Sequence, residues 1–496
     1  MLKYVFLGLF IVLMVGVGLY SKKKVKNIQD FFLGGRKMGP WMSAFAYGTT
    51  YFSAVVLVGY AGRTGWSFGI SSTWIGIGNA VIGSLLAWLI LARRTRKMTH
   101  ELNAATMPEF FEKRYDSKTL KIFTAIIIFV FLIPYSASVY QGLSYIFSKA
   151  FNIPFSYCML AMAVLTGAYL LLGGYVATAI NDFIQGIVMI VGLLLMVMFV
   201  VSHPAVGGIS GGISKLGEID ANLIKPFSSA PVNLMGFIIL TSLGTWGLPQ
   251  MLHKFYAIKD DSAVKRATVV STIFALIIAG GAYFTGTFGR LFLNNQIPAG
   301  LNGKPDLDMV VPQMLDIALP DALMGVVIIL VLSASMSTLS SLVLVSSSAI
   351  SLDLIKGTLF PKIDKDRTML LMRLFCALFV AISYLVAVVP NAIVSLMSFS
   401  WGTIAGAFLA PFLYGLYWKG TTKAGAWAGF LGGFACSIGC TIYYGMNAKL
   451  APNIGAASML ISLAIVPIVS LLTAKLPEKH IEEVFNGKAN QTEFGA

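Results

Sequence analysis

Charge is what this sequence has least of. Of 496 residues only 11% are Asp, Glu, Lys or Arg, while 57% are hydrophobic. A soluble globule carries roughly 25% charged residues and about 45–50% apolar ones. A water-covered surface is therefore excluded, and so is a disordered chain. Cysteine is also rare: Cys158, Cys376, Cys436 and Cys440 are the four present, which excludes a disulfide scaffold. All four lie in apolar runs and read as buried thiols. Cys436 and Cys440 share a helix face but lack His or acidic neighbours, so no metal site is expected there. Histidine is limited to His100, His203, His253 and His480, in loops, in the tail or at a helix end. No nucleophile–base pair or metal cluster stands in the apolar core, which argues against a membrane enzyme and against any resident cofactor.

What is abundant is long apolar sequence. A membrane-crossing helix needs about 20 mostly apolar residues, and thirteen such runs can be drawn: 2–20, 41–62, 70–92, 119–147, 154–172, 175–201, 232–254, 267–293, 321–350, 369–389, 391–418, 423–445 and 453–474. Continuous runs, rather than alternating ones, exclude a closed β-barrel. The first run lacks a small-residue cleavage site before Ser21-Lys22-Lys23-Lys24 and reads as a retained anchor. Of 36 Lys and Arg residues, 28 fall in one set of alternate loops, including Arg93, Arg94, Lys254, Lys259, Lys356 and Lys419. The positive-inside rule assigns that side to the cytoplasm, with the N-terminus outside and the C-terminus inside. The net charge of +15 is then a topology signal and requires no nucleic-acid partner. The tail after Lys475 reads as polar and frayed, and neither loop 203–231 nor stretch 295–320 reads as an extra domain.

Two runs are damaged in corresponding ways. Span two contains Gly48-Thr49-Thr50-Tyr51-Phe52-Ser53, and span seven contains Thr241-Ser242-Leu243-Gly244-Thr245-Trp246-Gly247-Leu248-Pro249. Unpaired backbone in lipid is tolerated only where it faces protein or a watery cavity. Paired interruptions five spans apart point to inverted repeats with a site near the midplane; the competing explanation is that Gly and Pro are common in membrane helices. Span nine carries Ser333, Ser335, Ser337, Thr338, Ser340 and Ser341, with Ser337 and Ser341 one turn apart on one face. Such hydroxyls suit a small alkali cation, or simply allow close helix packing. Asp182 stands alone among the 21 acidic residues as one well within an apolar span. An intramembrane carboxylate is costly and suggests work with an ion or proton, with a structural hydrogen-bond acceptor as the alternative.

These residues resemble the sodium:solute symporter family. The resemblance runs along nearly the whole chain, through Phe32-Leu33-Gly34-Gly35-Arg36, Gly69-Ile70-Ser71 with Trp74, Gly173-Gly174, Asn181-Asp182 with Gln185, Gly247-Leu248-Pro249, Met336-Ser337-Thr338-Leu339-Ser340 and Ser398-Phe399-Ser400-Trp401. It implies an all-α integral membrane protein with the leucine-transporter-type five-plus-five inverted repeat and flanking helices. The corresponding parts are 1–40 (first span and cytoplasmic loop), 41–201 (first repeat), 202–231 (extracellular loop), 232–418 (second repeat), 419–475 (two C-terminal spans) and 476–496 (tail). It further implies a sodium site from the carbonyls of Thr49, Phe52 and Ala334 and the hydroxyls of Ser337 and Thr338. Some members hold a second sodium; Asp182, Ser337, Ser340 and Ser341 are present for it, so one or two sodium ions per cycle are compatible with the sequence.

The solute pocket follows the family pattern less closely. Proline symporters place an aspartate where this chain has Tyr51, and an aromatic pair where it has Thr241 and Thr245. Sialic-acid members place an Arg where this chain has Tyr135, whereas pantothenate-type members share Thr50-Tyr51 and Ser53-Ala54. The pocket expected here is lined by Tyr51, Ser53, Tyr135, Tyr140, Gln141, Thr241, Thr245 and Trp246, uncharged and rich in hydroxyls and aromatic rings. The expectation is a sodium-coupled symporter of the plasma membrane, in contact with the lipid bilayer; a monomer suffices for this activity, and the sequence leaves the oligomeric state open. Its solute would be a small amino acid such as proline or a monocarboxylate such as pantothenate. The alternative is proton-coupled symport with Asp182 as the carrier.

Overall fold

The computed structural model describes residues 2–22, 32–300, 303–389 and 391–486. The basic residues Lys23, Lys24 and Lys26 and the tail beyond Asn486 lie outside this set. Among the described residues the chain is helical with no β-strand, and ten helical runs are long and apolar enough to cross a membrane. One of these, Pro40–Glu101, is 62 residues long, about 90 Å at 1.5 Å per residue, far beyond a bilayer's roughly 30 Å. It turns at Gly69, whose φ of 59° and ψ of −135° suit a residue without Cβ. Two shorter apolar helices, Lys3–Val17 and Phe155–Leu165, fall where the sequence places spans one and five.

Both interruptions predicted from the sequence are present. Helix α1 (Pro40–Tyr51) starts with Pro at its first position and stops at Phe52, which is extended at φ −107° and ψ 114°. Helix α2 (Phe155–Ser202) carries Asp182. Helix α3 (Pro231–Ile238) loosens to a π turn over Ile239–Leu243 and tightens to a 3-10 turn over Gly244–Trp246. The chain then breaks at Leu248, extended at φ −85° and ψ 121°, before helix α4 (Pro249–Tyr256). Helix α5 (Asp321–Ser348) is the serine-rich one and is almost wholly buried from Met324 onward. Helix α6 (Ile393–Tyr417) lies in the core and is buried along most of its length.

The broken helices are joined at one end. The Met38 amide donates to the Ala257 carbonyl at 3.1 Å, and the Lys259 amide donates to the Met38 carbonyl at 3.2 Å. The residue ahead of α1 is thus clamped to the residues after α4 by two main-chain bonds. At the opposite end a cap forms with parts of loop 203–231 and stretch 295–320, neither of which reads as an extra domain in the sequence. Helix Gly208–Ile219 packs its Gly212 and Leu216 inward, Trp74 stacks on Phe227 at 5.7 Å, and Arg63 pairs with buried Asp308 at 3.1 Å. Burial raises the Asp308 carboxyl above the ordinary carboxylate range, opposed by the charge of Arg63.

Four expectations need correction. The helix of span nine continues past residue 350 to Leu359, so Asp353, with no exposed surface, joins Asp182 as a buried acid in that apolar layer. Lys254 is no loop cation; its side chain is 2% exposed and belongs to the core. The tail forms helix Glu478–Asn486, whose Phe485 ring lies 5.2 Å from the Arg94 guanidinium and 5.1 Å from that of Arg114. Cys158 and Cys376 are buried as expected, but Cys436 and Cys440 are only half-buried.

Candidate functional site

The break after Tyr51 leaves the last carbonyls of α1 without the amides a continuing helix would supply. Helix α5 is laid against that break. The Thr338 hydroxyl oxygen lies 3.2 Å from the Thr50 carbonyl oxygen, 3.4 Å from that of Thr49 and 3.1 Å from that of Ala334. A hydroxyl has one hydrogen to donate, so three acceptors converge on a single donor. That surplus of oxygen lone pairs in a dry interior is the environment a small hard cation satisfies. Phe52, whose carbonyl the sequence assigned to the same group, is the extended residue at the break itself.

Ser337 stands on the neighbouring stripe of α5, 2.7 Å from Thr49 Oγ1 and 2.6 Å from Asp182 Oδ1. It therefore links the break in α1 to the carboxylate on α2. Asp182 is 1% exposed, and Lys254 Nζ approaches its Oδ2 at 3.4 Å. The same ammonium donates to Ser341 Oγ at 3.0 Å, and Ser341 Oγ is 3.0 Å from Thr50 Oγ1. The other serines of α5 behave differently. Ser335, Ser340, Ser347 and Ser348 donate to carbonyls of their own helix three or four residues back, which is the packing role open to hydroxyls inside a buried helix. Only Ser337, Thr338 and Ser341 reach both a neighbouring helix and the break. Ser340, expected near a second sodium, is turned away toward the Ser337 carbonyl.

The solute-pocket residues divide into groups. Tyr51 donates to the Thr241 carbonyl at 2.6 Å and stacks on Phe52 and on Trp401, with ring centroids 4.2 and 6.3 Å away. A Cβ on Gly83 would stand 2.0 Å from the Tyr51 hydroxyl, so that glycine is what admits the ring. Thr241 and Ser242 both donate to Asn79 Oδ1, Thr245 reaches the Gly83 carbonyl, and the Trp246 indole donates to the Ile82 carbonyl. These residues fasten the second break to the helix of span three. Ser53 Oγ accepts from the Val55 amide just beyond the first break. Tyr135 sits edge-on to Trp401 at 5.6 Å. Among the described residues neither the Tyr135 hydroxyl nor the Trp401 indole N–H makes a well-formed hydrogen bond, although Ser53, Thr338 and Trp401 all lie close to that hydroxyl, and poorly satisfied buried donors of this kind call for an explanation. Tyr140 is fully buried on the same helix as Tyr135. Gln141 lies apart from the group, its amide donating to the Ala387 and Val389 carbonyls.

Two functional candidates escaped the sequence reading. Lys254 was counted with the basic loops, and Trp401 was read only as part of a motif in an apolar span. On the α4 side a small cavity is lined by Thr106, Pro249, His253, Tyr256, Ser348 and Asp353 among others. Among the described residues the His253 Nε2, Tyr256 hydroxyl and Asp353 Oδ2 atoms there also lack hydrogen-bond partners. Beneath the opposite cap a cavity of about 290 Å³ is lined by Arg63, Thr64, Ser67, Phe68, Asn233, Phe237 and Lys449 among others.

Known proteins share this plan. The High-affinity proline transporter PutP of Bacillus subtilis is 30% identical over 485 residues, covering 95% of this chain and 98% of the relative. The Osmoregulated proline transporter OpuE of the same organism is 29% identical over 487 residues, covering 97% and 96%. A sodium/proline symporter of Staphylococcus aureus is 27% identical over 489 residues, covering 96% and 93%. Among solved structures, a Na+-coupled sialic acid symporter in a substrate-bound outward-open state superposes with a TM-score of 0.78 at 19% identity, over 96% of this chain and 98% of that one. The nucleobase-cation-symport-1 transporter Mhp1 superposes at 0.54 with 12% identity, over 92% and 98%. The sodium:solute symporter family model matches residues 31–433, the stretch that holds both broken helices, Asp182 and the serine-rich α5, and the chain belongs to that family.

Proposed function

We propose that this protein is a sodium-coupled symporter that imports a small organic solute by alternating access, with proline-like amino acids and small monocarboxylates as the leading solute classes. The observation that carries the reading is the crowding of the Thr49, Thr50 and Ala334 carbonyls on the single Thr338 hydroxyl. Sodium entering there would satisfy all of them and tie α5 to the break in α1, with Phe52 supplying a further carbonyl and Ser337 a further hydroxyl. The ion is drawn inward by the membrane potential, worth about 2.3 kcal/mol per charge per 100 mV. Solute would bind at the poorly satisfied Tyr135 hydroxyl and Trp401 indole, beside Tyr51 and Ser53. The vestibule cation Lys449 favours the approach of a carboxylate. Release would pass the unpartnered His253, Tyr256 and Asp353 groups on the α4 side. Because both ligands stabilise the same closed arrangement of α1 against α5, their affinities are coupled reciprocally.

The reading also takes the thirteen crossings as two inverted sets of five with flanking helices, the N-terminus outside, the C-terminus in the cytoplasm, and the monomer as the working unit in the plasma membrane. Asp182 is already bound to Lys254 and Ser337, which disfavours it as a lone proton carrier. The test is uptake into proteoliposomes of proline, pantothenate, short monocarboxylates and sugars, with a sodium gradient or a pH gradient imposed separately. Sodium-driven accumulation of one solute class is expected. Uptake that ignores sodium and follows the pH gradient would overturn the proposal in favour of proton coupling.

A further inference from the structure

The group of oxygens around Asp182 has the composition of a second cation site, yet a cation of this chain's own already stands in it. Lys254 Nζ lies 3.4 Å from Asp182 Oδ2 and 3.0 Å from Ser341 Oγ, and 5.3 Å from the centre of the Tyr175 ring. Both partners of the pair are almost wholly buried. Lysine's ammonium is a compact monovalent point charge with three donors, so it meets the same oxygens a sodium ion would, and it neutralises the same carboxylate. A free cation added at contact distance from that ammonium would face like-charge repulsion in a low-dielectric interior.

We infer that Lys254 is a tethered cation that replaces the second sodium, leaving this symporter with one sodium per cycle. The inference rests on the sodium-coupled reading above and fixes its stoichiometry. Its geometry also gives the ammonium a route to the first site by two short bridges. One passes through Ser341 to Thr50, whose carbonyl faces Thr338; the other passes through Asp182 and Ser337 to Thr49. Because Lys254 stands on α4, the half of the second broken helix that follows Leu248, the tethered charge moves with α4 and is never released. Any withdrawal of α4 therefore loosens Asp182, Ser337 and the first site together, which links release of the one free sodium to the motion of that half-helix.

The experiment counts radioactive sodium bound per purified protein at saturation, with no solute present. Wild type is expected to bind one ion with a Hill coefficient of 1. Lys254→Met leaves Asp182 and Ser341 exposed to a free ion and is expected to bind two, with a steeper curve. Asp182→Asn combined with Lys254→Met removes both charges and is expected to return to one; this double variant keeps the core neutral if the single one fails to fold. Two ions on wild type would overturn the inference while leaving sodium coupling intact. One ion on a folded Lys254→Met protein would overturn it as well. No sodium on wild type or on either variant would instead overturn the sodium reading on which it rests.

Discussion

Thr338→Val keeps the branched shape of the side chain and removes only the hydroxyl on which three carbonyls converge. A contact between a polar group and a charge is worth about 1.5–3 kcal/mol, and each 1.4 kcal/mol is tenfold in affinity, so loss of this ligand alone would weaken sodium binding roughly 10- to 140-fold. An opposing effect reduces that figure. Without sodium the variant also leaves the Thr49 and Thr50 carbonyls without their donor, and an unsatisfied buried acceptor costs about 1–3 kcal/mol. The ion-free state rises in energy, and an offset of about 1 kcal/mol leaves a net loss of about 0.5–2 kcal/mol, roughly 2- to 30-fold in sodium affinity. Equilibrium binding of radioactive sodium to purified protein measures it without knowledge of the solute. Ser340→Ala is the internal control, because that hydroxyl donates to its own helix at the Ser337 carbonyl; its sodium affinity is expected to change by less than about twofold. An unchanged dissociation constant in Thr338→Val, or an equal loss in both variants, would refute the assignment of the oxygen cluster as the ion site.

Other predictions can be checked in parallel. Tyr135→Phe removes a hydroxyl that makes no well-formed hydrogen bond among the described residues, so thermal stability should hold while solute affinity falls roughly 2- to 12-fold, the range of a hydrogen bond worth about 0.5–1.5 kcal/mol. Gly83→Ala places a methyl 2.0 Å from the Tyr51 hydroxyl, an overpacking cost of about 1–3 kcal/mol that should lower the thermal midpoint and solute affinity together. Asp260 caps helix Asp261–Ala275 through the Ala263 amide, and that bond is the main cause holding its carboxyl below the ordinary range. A depressed folded value means the stabilisation is present above the ordinary carboxylate pKa of about 3.9 and is lost as pH falls through the folded value. Asp260→Ala should therefore melt earlier than wild type at neutral pH, with the gap closing below about pH 4.

The legible parts of this protein were those where local chemistry and architecture agree. Gly48 through Ser53 and Gly244 through Pro249 are poor helix formers in a lipid-depth segment, and both stretches break where expected. Ser337 and Thr338 were found because hydroxyls one residue apart on a buried helix stand out against Leu and Val. The serine pattern alone could not show that Ser340 turns back on its own helix, since that depends on which stripe faces α1. Lys254 was misread for a directional reason. It sits near the basic loop in sequence, but side chains in a helix lean toward its N-terminus, and the N-terminus of α4 is the break at Leu248. The ammonium thus reaches back to Asp182 instead of outward to water. Asp353 was missed because hydropathy ended the span at residue 350 while the helix runs on to Leu359. Trp401 is ordinary by composition; it is marked by its contacts with Tyr51 and Tyr135 and by an N–H that makes no well-formed hydrogen bond among the described residues.

The clamp between Met38 and the Ala257–Lys259 backbone has a mechanical consequence. Two peptide hydrogen bonds join the foot of α1 to the foot of α4, so neither half-helix can swing alone without leaving main-chain groups unpaired. On the alternating-access reading proposed above they would move as one leaf, with the extended residues Phe52 and Leu248 as the candidate pivots. The leaf carries Thr49 and Thr50 on one arm and Lys254 on the other. If the proposed ion site is right, a single rotation would unseat the ion and shift the fixed charge in the same stroke, and the strength of that short backbone seam would help set the turnover rate.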